Sequence, residues 1–242
     1  MSDAIQNYRK MVDQPWGRMF YDLIYRQLKL SDDKRRKILD FGAGFCLTAG
    51  HYAKHHDVTA VEPNEEMRSL RVMGDYTLVE QGIDYLTTLG ENSFDIVICH
   101  NVLEYADNKE EILKQLVRVL KPGGTLSVIK HNLPGRVMAL AVMSDDPGAA
   151  MDLLGNADEE NSMFGNRSVY SNEELVKFLG DEMILTDSFG IRTFFGLSSN
   201  NEIKYSDEWF QPMLELESKA CAMEEYKKIA FFNHLIFEKR DA

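Results

Sequence analysis

Ile38-Leu39-Asp40-Phe41-Gly42-Ala43-Gly44 is an apolar run that breaks into two glycines, and Glu62 closes the next apolar run. A buried strand giving way to glycine lets backbone approach a ligand closely, because a Cβ at Gly42 or Gly44 would occupy that space. An acid one strand later accepts hydrogen bonds from a ribose diol. Together these features predict an adenosine-type cofactor across the carboxyl ends of parallel strands. A dinucleotide fingerprint would carry a third glycine, but position 47 is Leu47. A nucleoside without phosphates fits better, with S-adenosylmethionine the leading candidate.

Outward from this stretch the chain alternates. The spacing of apolar residues predicts an amphipathic helix over 16–30, then strands at 37–41, 57–62, 76–80, 94–99 and 124–131. Helices are expected between them at 46–54, 64–73, 83–88 and 109–120. Asn64 reads as an N-cap followed by Glu65 and Glu66, and Pro122-Gly123-Gly124 turns the chain from helix into strand. Such alternation implies right-handed crossovers and a parallel sheet covered on both faces. Between 133 and 167 the period changes to a stretch rich in Met, Gly, Asp and Asn, expected to be an irregular, partly helical lid. The regular pattern returns with a helix at 171–179, where Ser171 and Glu174 have capping-box spacing. A strand near 183–191, a helix near 206–223 and a last strand at 229–237 follow. The expectation is a single domain over 1–242, with an amino-terminal helical cap over 1–30 and the lid inside it.

With 44% hydrophobic and 27% charged residues in 242, the composition is that of an ordinary globular protein. The net charge of −12 lacks a general basic footprint for tracking phosphates, although a local basic patch remains compatible with it. Cys46, Cys99 and Cys221 are scattered and odd in number, which points to a reducing cytoplasm. No secretory signal is evident, and the apolar stretch 137–143 is too short to span a bilayer. His51, His55 and His56 have no acid spaced for H-E-x-x-H, so no metal site is expected.

The order of elements, with Leu39-Asp40-Phe41-Gly42-Ala43-Gly44, Glu62-Pro63, Phe94-Asp95-Ile96-Val97 and Pro122-Gly123-Gly124, resembles the class I S-adenosylmethionine-dependent methyltransferases. That resemblance implies a Rossmann-like α/β fold with seven strands in the order 3-2-1-4-5-7-6, mostly parallel, the last strand antiparallel. His100-Asn101-Val102-Leu103-Glu104-Tyr105, Gly190-Ile191-Arg192 and Leu214-Glu215-Leu216-Glu217 are similar to the bacterial tRNA 5-carboxymethoxyuridine methyltransferases. The lid departs from them, reading Ala157-Asp158-Glu159-Glu160 in place of a lysine-rich run.

Several residues acquire expected roles. Gly42, Ala43 and Gly44 would admit the methionine end of the cofactor, with loop amides receiving its carboxylate. Asp40 would bind the methionine amino group or else cap the loop, and Glu62, followed by Pro63, would take both ribose hydroxyls. Ile83 could meet adenine through its amide and Asp84 through its carboxylate, unless Asp84 caps the following helix. Arg18 either reaches the cofactor carboxylate or is an exposed residue of an amphipathic helix. His100 is expected to face the sulfonium region. Lys130, His131, Arg136, Arg167 and Arg192 form either an anion-binding cluster or scattered surface cations. Methyl transfer needs alignment more than acid–base chemistry. An anionic acceptor would call on Arg192 and its neighbours, whereas a hydroxyl or amine would call on His100 or His131 as base. The resemblance implies tRNA, through its modified wobble uridine, as the acceptor; a small anionic molecule is the alternative. A nicotinamide oxidoreductase is disfavoured by Leu47, and a non-catalytic cofactor-binding module would bind without transfer.

Overall fold

The structure is a computed structural model describing residues 2–155, 159–162, 165–168 and 170–241; the side chains of 156–169 lie outside the described set. Two helices, α1 (Asp3–Val12) and α2 (Pro15–Leu28), lead into β1 (Lys37–Phe41). There follow α3 (Leu47–Tyr52), β2 (Asp57–Val61), α4 (Glu65–Ser69), β3 (Thr77–Val79), α5 (Ile83–Thr88), β4 (Phe94–His100), α6 (Lys109–Val119) and β5 (Leu120–His131). The insertion holds α7 (Leu133–Met138), a π-helical turn at Ala139–Met143, α8 (Pro147–Gly155) and a hairpin of β6 (Glu159–Ser162) and β7 (Gly165–Ser168). The chain closes with α9 (Asn172–Leu179), β8 (Met183–Ile191), α10 (Asp207–Ala220), α11 (Glu224–Lys227) and β9 (Phe232–Lys239).

The main sheet has the order β3-β2-β1-β4-β5-β9-β8, the arrangement expected once the β6–β7 hairpin is set aside. β9 runs antiparallel to both its neighbours, and the other pairings are parallel. Period-two alternation sorts the strands into two faces. Leu39, Phe41, Val97, Cys99, Leu126 and Val128 pack with α5, α6 and α9. Ile38, Ile96 and Ile98 face α3 and the end of α2, while Ile129 and Phe232 meet Met19, Phe20, Leu23 and Ile24 of α2 and Phe210 of α10. Each such buried aliphatic side chain contributes about 1.5–3 kcal/mol by leaving water.

Local signals hold where the expectation rested on them. Asn64 accepts from Met67 N, and the Ser171/Glu174 capping box is complete. Other bounds differ. The helix expected over 64–73 ends at Ser69, and the one expected over 206–223 stops at Ala220 and restarts as α11. α1 was not legible, because it buries only Ile5 and Val12 and has no long apolar stripe.

Candidate active site

The carboxyl ends of β1, β2, β4 and β5 open into one cavity of about 1240 Å³, roofed by the amino-terminal helices, the start of the insertion and residues 192–205. Gly42 and Gly44 have φ of +75° and +54°, a region that favours glycine. Their roles differ from the expectation. A Cβ on Gly42 would lie 2.3 Å from Val102 Cγ2, so Gly42 is required by protein packing. A Cβ on Gly44 would meet only Met67 Sδ at 3.9 Å and otherwise enter open space, as expected of a residue that makes room for a ligand. The loop amides are not open donors. Gly42 N and Ala43 N donate to Val61 O, and Gly44 N donates to Glu62 Oε2 at 2.7 Å. The expectation that these amides receive a carboxylate is therefore corrected: strand β2 and Glu62 already use them.

Glu62 is buried at the cavity wall, its other oxygen accepting from Asn64 N at 2.7 Å. Burial raises its pKa, opposed by these two backbone donors and by Arg68. A carboxylate offers about four lone-pair positions, so two remain for a diol. Asp40 is 3% exposed, and its Oδ2 has no partner. Burial, with Glu62 nearby, pushes the Asp40 carboxyl up to about 7. A backbone hydrogen bond from Ala49 opposes that rise, and the oxygen left unpaired at the cavity wall suits a cationic donor such as the ammonium of a methionine moiety.

Pro63 and Ile83 line the cavity beside Gly82. Asp84 does not: it is exposed in the first turn of α5, with Gly82 at the N-cap, so neither role expected for it holds. Arg18 is likewise corrected. It pairs with Asp207 at 2.9 Å and stacks over Phe210, because α2 turns Trp16, Phe20 and Tyr21 toward the cavity instead.

His100 lines the cavity, with Nε2 2.8 Å from Ser127 Oγ and Nδ1 shielded and unpaired. Burial, together with His234, holds its pKa well below the usual imidazole value. His131 also lines the cavity, and its Nδ1 lies 3.0 and 3.1 Å from the two oxygens of buried Glu104, which also accepts from His131 N at 2.7 Å. A carboxylate on one ring nitrogen fixes the tautomer and raises the basicity of the other.

Across the cavity Arg192 is 9% exposed and sits at φ +62°, a strained position for a long side chain. Its guanidinium lies 5.0–5.9 Å from the ring centroids of Trp16, Phe195, Phe231 and Phe232. Burial lowers its pKa to about 10, with Glu217 opposing. Glu217 accepts from Thr193 N, Phe194 N and Phe195 N at 2.8–2.9 Å and so clamps the turn that carries Arg192. Arg136 lines the cavity too. Lys130 does not, because its Nζ donates to His131 O and sits over the Tyr170 ring. The Arg167 side chain lies outside the described residues. Glu104 and Glu217 carried no assigned role in the sequence, although a signal existed: Glu217 falls in the apolar stripe of Phe210, Leu214 and Cys221.

Comparison with known proteins bears on the fold. Residues 39–128 match the Methyltransferase domain family. The fold is that of the class I methyltransferases. A possible histamine N-methyltransferase from Thermotoga maritima superposes with TM-score 0.64 at 17% identity, covering 98% of this chain and 96% of that one. The 1,6-didemethyltoxoflavin-N1-methyltransferase of Burkholderia thailandensis, with bound 1,6-didemethyltoxoflavin and S-adenosylhomocysteine, gives 0.53 at 15% identity, over 94% and 79%. In sequence, the ubiquinone biosynthesis O-methyltransferase of Xanthomonas oryzae pv. oryzae is 31% identical over 114 residues, 44% of this chain and 48% of that protein. The chain spans less than half the length of the curated relatives it matches. Among the described residues, no group of three or more His, Cys, Asp or Glu side chains is placed to hold a metal. No helix there is long and apolar enough to cross a membrane.

Proposed function

We propose that the protein is an S-adenosylmethionine-dependent methyltransferase whose acceptor is an anion held under Arg192 and Arg136. One observation carries this reading. A single cavity bears a buried acid with one unpaired oxygen, Asp40, at the β1 end and a buried guanidinium, Arg192, at the β8 end. Its volume exceeds the range of roughly 300–1,000 Å³ usual for one ligand, which leaves room for two molecules.

When bound, the cofactor supplies a methyl group on a positively charged sulfur. Asp40 holds its ammonium group, Glu62 its ribose hydroxyls, and Pro63 and Ile83 flank the adenine. Arg192, backed by its aromatic box, orients an acceptor carboxylate, and the helical roof excludes water. Alignment of this kind can supply much of the barrier reduction, and an ionised carboxylate needs no base. The Glu104–His131 pair favours a second reading, in which a hydroxyl or amine acceptor loses its proton to His131.

Two sources of the acceptor remain in the proposal: the carboxylate of a modified wobble uridine in tRNA, and a small anionic metabolite. The acidic chain and the small-molecule names of the relatives support the metabolite, while the likeness of His100–Tyr105 and Gly190–Arg192 to tRNA enzymes supports the uridine. Transfer from labelled cofactor to bulk tRNA or to a metabolite extract separates them by where label lands. Absence of cofactor binding in a calorimetric titration sinks the reading altogether.

A further inference from the structure

A half-buried histidine at the cavity wall and three buried side chains form a chain that runs along the α2-covered face of the sheet to β8. His100 Nε2 lies 2.8 Å from Ser127 Oγ, which lies 2.8 Å from His234 Nε2. His234 Nδ1 lies 2.8 Å from Gln27 Oε1, and Gln27 Nε2 donates to Gly190 O at 3.0 Å. Ser127 and His234 are fully buried, and Gln27 is 7% exposed. Adjacent strands β4, β5 and β9 supply the first three, on the face covered by α2.

The direction of every hydrogen in this chain is determined from its far end. A backbone carbonyl only accepts, so the Gln27 amide must turn its NH₂ to Gly190 and its oxygen to His234. That oxygen requires a proton on His234 Nδ1. Burial holds the His234 pKa down at about 3, so the ring is neutral and its Nε2 is a lone pair. Ser127 has one hydrogen and must give it to His234. Its oxygen can then only accept from His100, whose proton lies on Nε2. His100 Nδ1 has no partner, and a proton there would add an unsatisfied buried charge. With Nε2 committed to Ser127 and Nδ1 shielded, neither nitrogen is placed to take a proton from a ligand.

We propose that Gln27, His234 and Ser127 are positioning residues that fix His100 as the neutral Nε2–H tautomer, so that this ring is an uncharged wall of the ligand cavity and not its base. The consequence for the site rests on the methyltransferase reading: an uncharged ring tolerates a neighbouring sulfonium, and proton handling is left to His131. The relay itself does not depend on that reading.

The test is a long-range 1H–15N spectrum of the histidine rings in the full chain. Wild-type His100 is expected to show a pyrrole-type Nε2 and a pyridine-type Nδ1; the reverse pattern overturns the relay. Gln27→Leu frees His234 to turn over, and His100 should shift toward a mixture of tautomers, although Gln27 does not line the cavity. An unchanged His100 in that variant also overturns the relay. Gln27→Glu, whose protonated carboxyl still donates to Gly190 and accepts from His234, should restore the wild-type pattern. S-adenosylhomocysteine should bind Gln27→Leu about tenfold more weakly, the scale of one hydrogen bond. Equal affinity with a switched tautomer removes the positioning role. Failure of the wild type to bind that probe speaks against the proposed function, while the ring spectra decide the relay on their own.

Discussion

Asp40 and Glu62 sit 22 residues apart in sequence and share one wall of the cavity, yet they differ in how far their oxygens are satisfied. Asp40 is governed by desolvation. Its pKa is raised to about 7, so between the unfolded value near 4 and that value the native chain holds a proton the unfolded chain has lost. The contribution of Asp40 to stability therefore falls as pH rises through this window. Asp40→Asn should gain on the wild type by on the order of 3 kcal/mol between pH 4 and 8, measured by chemical denaturation of the ligand-free protein. A constant difference across pH would remove the desolvated acid. Ligand binding should release a proton near pH 6, seen as a buffer-dependent enthalpy, because an ammonium partner favours the ionised form. Burial raises the pKa of Glu62 as well, but both of its oxygens accept backbone hydrogens that oppose the rise. Glu62→Ala is expected to weaken S-adenosylhomocysteine binding by roughly 1.5–3 kcal/mol, and an unchanged titration would take Glu62 out of the site.

The turn after β1 and the turn after β8 both use left-handed backbone, and they make opposite demands on sequence. Gly42 is fixed by packing against Val102 and Gly44 by free space, a distinction that two glycines in a row of letters do not reveal. Gly42→Ala should destabilise the fold by about 2 kcal/mol or more through strain and overpacking. Gly44→Ala should cost about 1 kcal/mol in stability while impairing cofactor binding, so the two variants separate in melting and titration. At the other turn, Arg192 keeps its backbone position because Glu217 fills the donors of the next three residues. Glu217→Gln leaves one oxygen for three donors and a buried guanidinium without its countercharge. A loss of about 3–5 kcal/mol is expected, the usual result of removing one partner of a buried pair. Restoration of full stability by this variant would contradict the clamp.

Over the whole molecule, the cavity floor is sheet and its roof is assembled from three distant segments: α1 with the start of α2, the start of the insertion, and residues 192–205. Ligand binding should therefore slow hydrogen exchange mostly in those segments, with little change in β1, β4 and β5. Uniform protection, or protection confined to the floor, would contradict a roof that closes over the ligand. At a hundred times its dissociation constant the ligand adds about 2.7 kcal/mol, enough to raise the melting temperature by roughly 5–10 °C.

Contiguous residues were enough to reveal the strand–helix alternation and the capping of α4 and α9, while the order of the sheet was implied by the family resemblance. Alternation and capping depend on local periodicity and on side chains within one helical turn of each other. The contacts around Arg192, His131 and His100 were not legible in this way. Arg192 meets Trp16 and Phe231, His131 meets Glu104, and Gln27 reaches His100 through β5 and β9. Strand pairing and helix packing bring these groups together across long separations. The sequence specified which side chains were available; only the register of β4, β5, β9 and β8 decided which of them would touch, because neighbouring positions on one strand face opposite sides of the sheet.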